Sequence, residues 1–95
     1  MSLAKIKEKI RKSKPALKKE FGVSEIAIFG SFARNKQTVK SDIDIMVNFN
    51  RPIGLKFVAL AYQLEKEIGI KTHLVSGRAI RPDFRKIIEQ DLIYV

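Results

Sequence analysis

The segment from Gly30 to Asp44 constrains the fold and chemistry of this chain more than any other. It consists of a Gly-Ser pair, ten intervening residues and two aspartates separated by one isoleucine. Residues 25–29, just before it, form a short apolar run that indicates a buried strand. Residues 42–47 show the two-residue period of a second strand. The segment therefore predicts a tight turn and a polar connection held between two strands.

The two aspartates, Asp42 and Asp44, are expected to share one face of the second strand, because side chains two residues apart point to the same side. Strand geometry places their backbones roughly 6.5–7 Å apart. Carboxylates are suitable ligands for Mg²⁺, which also keeps waters and binds substrate phosphates. A pair of such ions can activate an attacking oxygen and stabilise a leaving group. The alternative is that Asp42 is a turn residue at the strand entry and Asp44 is simply exposed.

The Gly-Ser pair is suited to holding a phosphate. Gly30 allows unusual backbone angles and a close approach of a ligand to the backbone. Ser31 is expected to begin a short helix, and the free N–H groups at a helix start attract anions. Arg34, Lys36 and Lys40 are near enough in sequence to add positive charge. The alternative is an ordinary strand-to-helix turn in which Ser31 is only an N-cap.

Composition excludes several classes of protein. The absence of cysteine removes disulfides and thiolate metal sites. No apolar run is long enough to span a membrane, and the charged first twenty or so residues lack the apolar centre of an export signal, so a cytoplasmic protein is expected. The formal charge of +9 favours nucleotides, RNA or an acidic protein as partners, although lysines that solvate helix faces explain it equally well. The length predicts one domain over residues 1–95.

The periodicity of apolar residues predicts the helices. A first helix is expected to begin after Ser2 and to end at Gly22, with one apolar stripe along it. Pro15 either kinks this helix or begins a second short one. The clearest helix covers residues 57–68 and ends at Gly69.

The remaining elements are shorter. Strands are predicted over residues 25–29, 42–49 and 70–75, and the short helix after Ser31 is predicted to end near residue 35. A last helix is predicted to begin at Pro82 or Asp83, with inward side chains from Phe84, Ile87, Ile88 and Leu92. Residues 92–95 either form a short edge strand or complete that helix.

This order of elements predicts an α/β (α+β) fold in which a small sheet is covered by helices. The connection between the first two strands has only about a dozen residues, which leaves little room for a right-handed crossover with a full helix. The sheet is therefore expected to be mixed.

The spacing of Gly30-Ser31 and Asp42-x-Asp44 resembles the signature of the DNA polymerase β–type nucleotidyltransferase superfamily. The F-G-S-F-A-R and S-D-I-D-I-M-V segments resemble its minimal nucleotidyltransferase (MNT) branch, over nearly the whole chain. The resemblance implies a mixed sheet flanked by helices and transfer of a nucleoside monophosphate with release of pyrophosphate. It implies that Gly30, Ser31 and Arg34 contact the phosphates of a nucleoside triphosphate. Asp42 and Asp44 would be catalytic residues and ligands of Mg²⁺ or Mn²⁺.

The sequence departs from that family pattern at His73. Family members usually carry a third acid there, which binds metal and accepts the proton of the attacking hydroxyl. A histidine can act as a general base near neutral pH, so His73 is retained as a candidate catalytic residue. It is a poor ligand for Mg²⁺ and a better one for Mn²⁺ or Zn²⁺. The alternative is a strand residue with no catalytic part.

Three functions follow as hypotheses. Minimal members resemble antitoxins paired with HEPN-family ribonuclease toxins, which implies transfer of AMP from ATP to a tyrosine hydroxyl of such a partner. A protein that has lost this chemistry would act by covering its toxin, and His73 favours that alternative. The basic first helix suggests a third possibility, an RNA-binding domain, although stacking aromatics typical of single-strand binders are not evident.

Overall fold

The computed structural model describes residues 2–95 as a four-stranded mixed sheet with helices on both faces. This confirms the predicted α/β architecture. The helices are α1 (Leu3–Phe21), α2 (Lys56–Ile68) and α3 (Pro82–Ile88), and the strands are β1 (Val23–Phe29), β2 (Ile43–Phe49), β3 (Thr72–Ser76) and β4 (Ile93–Tyr94). Within the described residues, no helix is both long and apolar enough to cross a membrane.

Helix α1 begins and ends where the sequence predicted. Ser2 caps it, since its Oγ accepts a hydrogen bond from the N–H of Lys5 at 3.3 Å. Gly22 ends it with φ 68°, and its N–H donates to the carbonyl of Lys18. The helix continues through Pro15, so the alternative of a second helix starting there is wrong. Its apolar stripe is buried against the sheet at Ile6, Ile10, Leu17 and Phe21.

The sheet has the order β3-β2-β1-β4. Strand β1 is antiparallel to both β2 and β4, whereas β2 and β3 are parallel and are joined through α2. The sheet is therefore mixed, as the short connection between the first two strands required. Strand β4 shows that residues 92–95 end in an edge strand rather than in a helix. Strands β3 and β4 are the two edges.

The predicted strand limits needed small corrections. Strand β1 begins at Val23 rather than at residue 25, because it pairs with β2 directly after the left-handed Gly22. Strand β2 begins at Ile43 and leaves Asp42 just outside it. Strand β3 begins at Thr72 and continues to residue 76, two residues later than predicted at its start.

The two faces of the sheet are covered unequally. Towards α1 and α2, buried residues from both helices and from β1 and β2 form the main core. The opposite face carries a much smaller buried cluster of Ala27, Phe29, Met46 and Ile88. Residues two apart on a strand share a face, so Asp44 stands on the same thinly covered face as Met46.

Helix α3 buries less than its pattern predicted. Ile88 is buried, and Leu92 packs against the same small cluster. Phe84 and Ile87, which were predicted to point inward, are 44% and 64% exposed. The helix has only seven residues, so only a narrow part of its surface contacts the sheet. Two large apolar side chains are consequently left beside the face that carries Asp44.

Candidate functional site

The turn after β1 is a single helical turn that ends at once. The N–H of Arg34 donates to the carbonyl of Gly30 at 3.1 Å. Lys36 and Asn35 then donate to the carbonyls of Ser31 and Phe32, and Asn35 has φ 57°. This pair of bonds around a left-handed residue is a Schellman helix stop. The short helix predicted after Ser31 is therefore wrong, because the stop follows before a second helical bond can form.

Gly30 lies directly against the second aspartate. It has φ 75°, and a Cβ atom added there would overlap Oδ2 of Asp44. In the antiparallel pairing of β1 and β2, the residue opposite Asp44 is Phe29, so the turn begins beside the carboxylate. A glycine is needed here for both its backbone angle and its missing side chain. The predicted phosphate-binding turn and the predicted metal-binding carboxylate thus form one site.

Asp44 is partly buried on β2, with its side chain 27% exposed. Burial raises the pKa of its carboxyl, and the negative charge of Asp42 raises that pKa further. The hydrogen bond and charge of His73 and the charge of Arg34 lower it, but burial is the largest influence. Such a carboxylate gains from a cation placed beside it.

Asp42 is exposed and precedes β2, which matches the alternative that it is a turn residue at the strand entry. Its negative charge nevertheless raises the pKa of Asp44, so the two carboxylates are within electrostatic range of one another. Asp44 differs from the same alternative, because it is partly buried rather than simply exposed. The structure therefore brings the two predicted acids together, although only one of them belongs to the strand.

His73 is the side chain that β3 brings to the two acids. It stands opposite Asp44 in the parallel register of β2 and β3. Its Nδ1 lies 3.3 Å from Oδ1 of Asp44, and its side chain is 71% exposed. When Nδ1 carries the proton and donates to Asp44, Nε2 is free to accept one. The position predicted for a third acid is thus at the site, although a histidine occupies it.

Arg34 lies at the site and is held there by Asp91, a residue that the sequence analysis did not identify. Its guanidinium donates to Oδ2 of Asp91 at 2.7 Å. Among the three cations predicted beside the turn, Arg34 lowers the pKa of Asp44 through its charge. Asp91 is 57 residues away in sequence and belongs to no motif, so no local signal could have identified it.

These groups line a cavity of about 250 Å³ between the sheet and α3. Gly30, Asp44 and His73 form its polar side. Phe84 and Ile87 form its apolar wall. Their side chains are exposed because they line this cavity rather than the core. Helical periodicity identified both residues but assigned them to the core. The cavity therefore combines a charged floor with an apolar wall.

The residues present fit a hard divalent cation. Asp42 and Asp44 provide carboxylate oxygens, and the raised pKa of Asp44 shows that burial and a like charge disfavour its ionised form. Within residues 2–95, no three His, Cys, Asp or Glu side chains are grouped closely enough to hold a metal by themselves. Two carboxylates with water and substrate oxygens would match the way in which Mg²⁺ is usually bound.

Comparison with known proteins identifies the family of this chain. Residues 10–95 match the family described as Nucleotidyltransferase domain. The chain is 51% identical over 96 residues to a Methanocaldococcus jannaschii protein provisionally named protein adenylyltransferase MJ0128, covering 99% of this chain and 98% of that protein. It is 33% identical over 96 residues to the protein adenylyltransferase MntA of Thermococcus cleftensis, covering 100% and 97% of the two chains.

Solved structures share the fold. A structure provisionally described as a minimal nucleotidyltransferase superposes with a TM-score of 0.81 at 28% identity, over 98% of this chain and 95% of that one. A complex of a tri-AMPylated HEPN toxin of Shewanella oneidensis with an MNT antitoxin contains a chain that superposes with a TM-score of 0.68 at 19% identity, over 94% and 70% of the two chains. At that identity the second likeness concerns the fold alone.

Proposed function

The chain belongs to the nucleotidyltransferase domain family, and from this premise we propose that it transfers AMP from ATP to a hydroxyl group of a partner protein. The observation that carries the proposal is the contact of Gly30 with Asp44, which joins a phosphate-binding turn to a carboxylate pair. The names of the relatives as protein adenylyltransferases support the choice of AMP and of a protein acceptor. Residues 1–95 would form one minimal catalytic domain, and ATP as donor suggests a cytoplasmic reaction.

The phosphates of ATP would be held by the turn and by Arg34. Gly30 admits the triphosphate close to the backbone, and the hydroxyl of Ser31 makes no side-chain hydrogen bond within residues 2–95 and can donate to a phosphate oxygen. Asp91 would keep the guanidinium of Arg34 oriented, and the remaining N–H donors of that guanidinium would be available to the phosphates. Asp42 and Asp44 would hold Mg²⁺ or Mn²⁺, which when bound would neutralise phosphate charge and polarise the reacting oxygens.

The proposed transfer is a displacement at the α-phosphorus of ATP. The acceptor hydroxyl oxygen forms the new bond to phosphorus, and the bond from that phosphorus to the bridging oxygen of pyrophosphate breaks. The proton of the hydroxyl goes to His73, whose Nε2 can accept it while Nδ1 donates to Asp44. His73 would thus serve as general base where the family usually has an acid.

The partner that we propose is a HEPN-family toxin, for which this chain would be the antitoxin. The support is the shared fold with antitoxin chains of MNT–HEPN complexes, together with the names of the more similar relatives. A tyrosine hydroxyl is the proposed acceptor group. The partner would contribute much of the positioning of this acceptor group.

A second candidate is a binding protein that covers its toxin without modifying it. The observation that favours it is His73, because a largely exposed imidazole ring stands where the family usually has an acid that would bind metal. An RNA-binding domain is the third candidate, favoured by the basic residues of α1 and tested by retention of short RNA at moderate salt.

The experiment is intact-mass analysis of the HEPN-family protein encoded beside this gene, after incubation with the chain, ATP and Mg²⁺ or Mn²⁺. Addition of one or more AMP units that is lost in Asp42→Ala and Asp44→Ala would establish the transfer. An unmodified partner that still binds tightly would establish the blocking function instead. If the partner is neither bound nor modified, both partner proposals are refuted.

A further inference from the structure

Strand β3 presents a free backbone edge. Among the residues that the structure describes, it pairs with β2 alone, and the N–H of Ile43 donates to the carbonyl of Lys71 at 3.0 Å. Successive residues of a parallel strand turn their backbone groups to opposite sides, so Leu74 directs its N–H and carbonyl away from β2. The N–H of Thr72 also points outward, and Oε1 of Glu65 accepts it at 2.9 Å. The backbone of Leu74 is thus open to a further strand.

An apolar groove of about 500 Å³ wraps around this edge. Leu74 and Phe57 line it on the side of the sheet that faces α2. Val75 and Phe84 line it on the opposite side, beside α3. Side chains of a strand alternate between the two faces of a sheet. An added fifth strand would therefore place apolar side chains in both halves of the groove while its backbone paired with Leu74.

The exposed charges around the edge are mainly basic, since the carboxylate of Glu65 is already bonded to the N–H of Thr72. Lys56, Lys71 and Arg78 are exposed, and none of them belongs to an ion pair within residues 2–95. A second copy of a chain with formal charge +9 would bring the same positive groups to the contact. An acidic segment would instead meet complementary charge, which favours a different protein as the occupant.

The groove is continuous with the candidate site. Val75 and Phe84 line both the groove and the cavity that holds Asp44. His73 lies two residues before Val75 and therefore points to the same face of β3. A side chain beside His73 on an added strand would start about 5 Å away, within the reach of a tyrosine hydroxyl.

We propose that the free edge of β3 binds an extended acidic segment of the acceptor protein as a fifth strand and so delivers its tyrosine hydroxyl to His73 and Asp44. Backbone pairing would provide affinity, and the two halves of the groove would select alternate apolar side chains. The choice of a tyrosine rests on the proposed transferase function, whereas the strand addition itself requires no chemistry. The two can therefore fail separately.

The first test is amide hydrogen exchange at single-residue resolution, with and without the HEPN-family protein. We expect the Leu74 amide to exchange at least about tenfold more slowly in the complex, because strand addition gives it a hydrogen-bond acceptor. The Val75 amide, which turns towards β2, is the internal control and should change much less. A stable complex with unchanged exchange at Leu74 would overturn the proposal.

The second test places a negative charge in the groove. Ala79 lines the groove and is exposed, so Ala79→Glu is expected to preserve the fold while repelling an acidic segment. We expect the KM for the acceptor protein to rise about tenfold, with the KM for ATP unchanged. Ala59→Glu is the matched control, because Ala59 is exposed on α2 away from the groove. Equal effects of the two substitutions would contradict edge binding.

The outcomes separate docking from catalysis. AMP transfer without protection of Leu74 would leave the proposed function standing and refute the docking mode. Protection of Leu74 without AMP transfer would support the docking mode and refute the proposed function. If the HEPN-family protein does not bind, the probe becomes a peptide with a central tyrosine between valines and terminal glutamates, and its N-methylated form is the control. The proposal is overturned if this peptide does not protect Leu74 at millimolar concentration. It is also overturned if protection grows with the concentration of the chain alone.

Discussion

Nδ1 of His73 lies 3.3 Å from Oδ1 of Asp44, although 29 residues separate them along the chain. The contact exists because β2 and β3 are parallel neighbours whose register sets these two residues opposite each other. It orients an exposed imidazole over the more buried of the two carboxylates. Under the proposed function, this contact would let His73 accept the proton of the same hydroxyl that Asp44 positions through its metal ion.

Asp44→Asn is expected to abolish transfer and to stabilise the fold at neutral pH. Burial raises the pKa of Asp44 above its usual 3.8, so the folded protein binds this proton more tightly than the unfolded chain does. The stabilising contribution is complete below pH 3.8 and is lost as the pH rises through the folded pKa. Ionised Asp44 therefore costs stability at pH 7, and asparagine removes that cost.

Thermal unfolding between pH 3 and pH 7 is the measurement. Asp44→Asn should have a higher Tm than the unsubstituted protein near neutral pH, and this difference in Tm should shrink towards acid pH. The rate of transfer should fall at least about 100-fold. Addition of Mg²⁺ or Mn²⁺ should raise the Tm of the unsubstituted protein more than that of the variant. A variant with a lower Tm at pH 7 would contradict the assigned cost of burial.

Gly30→Ala is expected to reduce both stability and transfer because its Cβ would overlap Oδ2 of Asp44. Gly69→Ala is the matched control, since Gly69 also has a positive φ but has no neighbour within 4 Å of an added Cβ. Both substitutions carry a backbone cost of about 1 kcal/mol. Chemical denaturation should show a further loss at Gly30 alone. Equal losses would mean that Asp44 moves aside freely.

Arg34 and Asp91 are expected to act as a unit. Arg34→Ala should raise the KM for ATP, and Asp91→Asn should do so less strongly by releasing the guanidinium. A double-mutant cycle on the free energy of ATP binding should give a coupling of about 1 kcal/mol. The Arg85–Glu89 pair, which does not line the cavity, provides the control, and the same cycle there should give a coupling near zero. Additive effects at Arg34 and Asp91 would refute the positioning role.

His73→Asp is expected to shift the metal preference towards Mg²⁺. An aspartate beside Asp44 would add a hard oxygen ligand where the natural ring offers nitrogen. The ratio of initial rates in Mg²⁺ and Mn²⁺ measures this change, with His73→Ala as the control that removes the ring without adding an acid. A strong gain of activity from an inactive natural protein would instead support the blocking function.

The motif and the periodicity predicted most of the architecture. Strong local signals marked the limits of α1 and α2, because Ser2, Gly22 and Gly69 cap or stop helices through their own backbone and side-chain bonding. The short connection before β2 predicted a mixed sheet, since it leaves little room for a helical crossover. Amphipathic spacing failed at Phe84, because a pattern cannot show how little sheet surface lies beneath a short helix.

The sequence by itself predicted the turn and the carboxylate pair, because Gly30, Asp42 and Asp44 lie within one short motif whose spacing carries the information. Only the tertiary structure decided how those groups meet. Strand order and register determine three features of the site and its surroundings. These are the close approach of Gly30 to Asp44, the pairing of Arg34 with Asp91 and the open edge at Leu74. These are long-range contacts, and no local pattern of residue types encodes the distance between segments that are far apart in the chain.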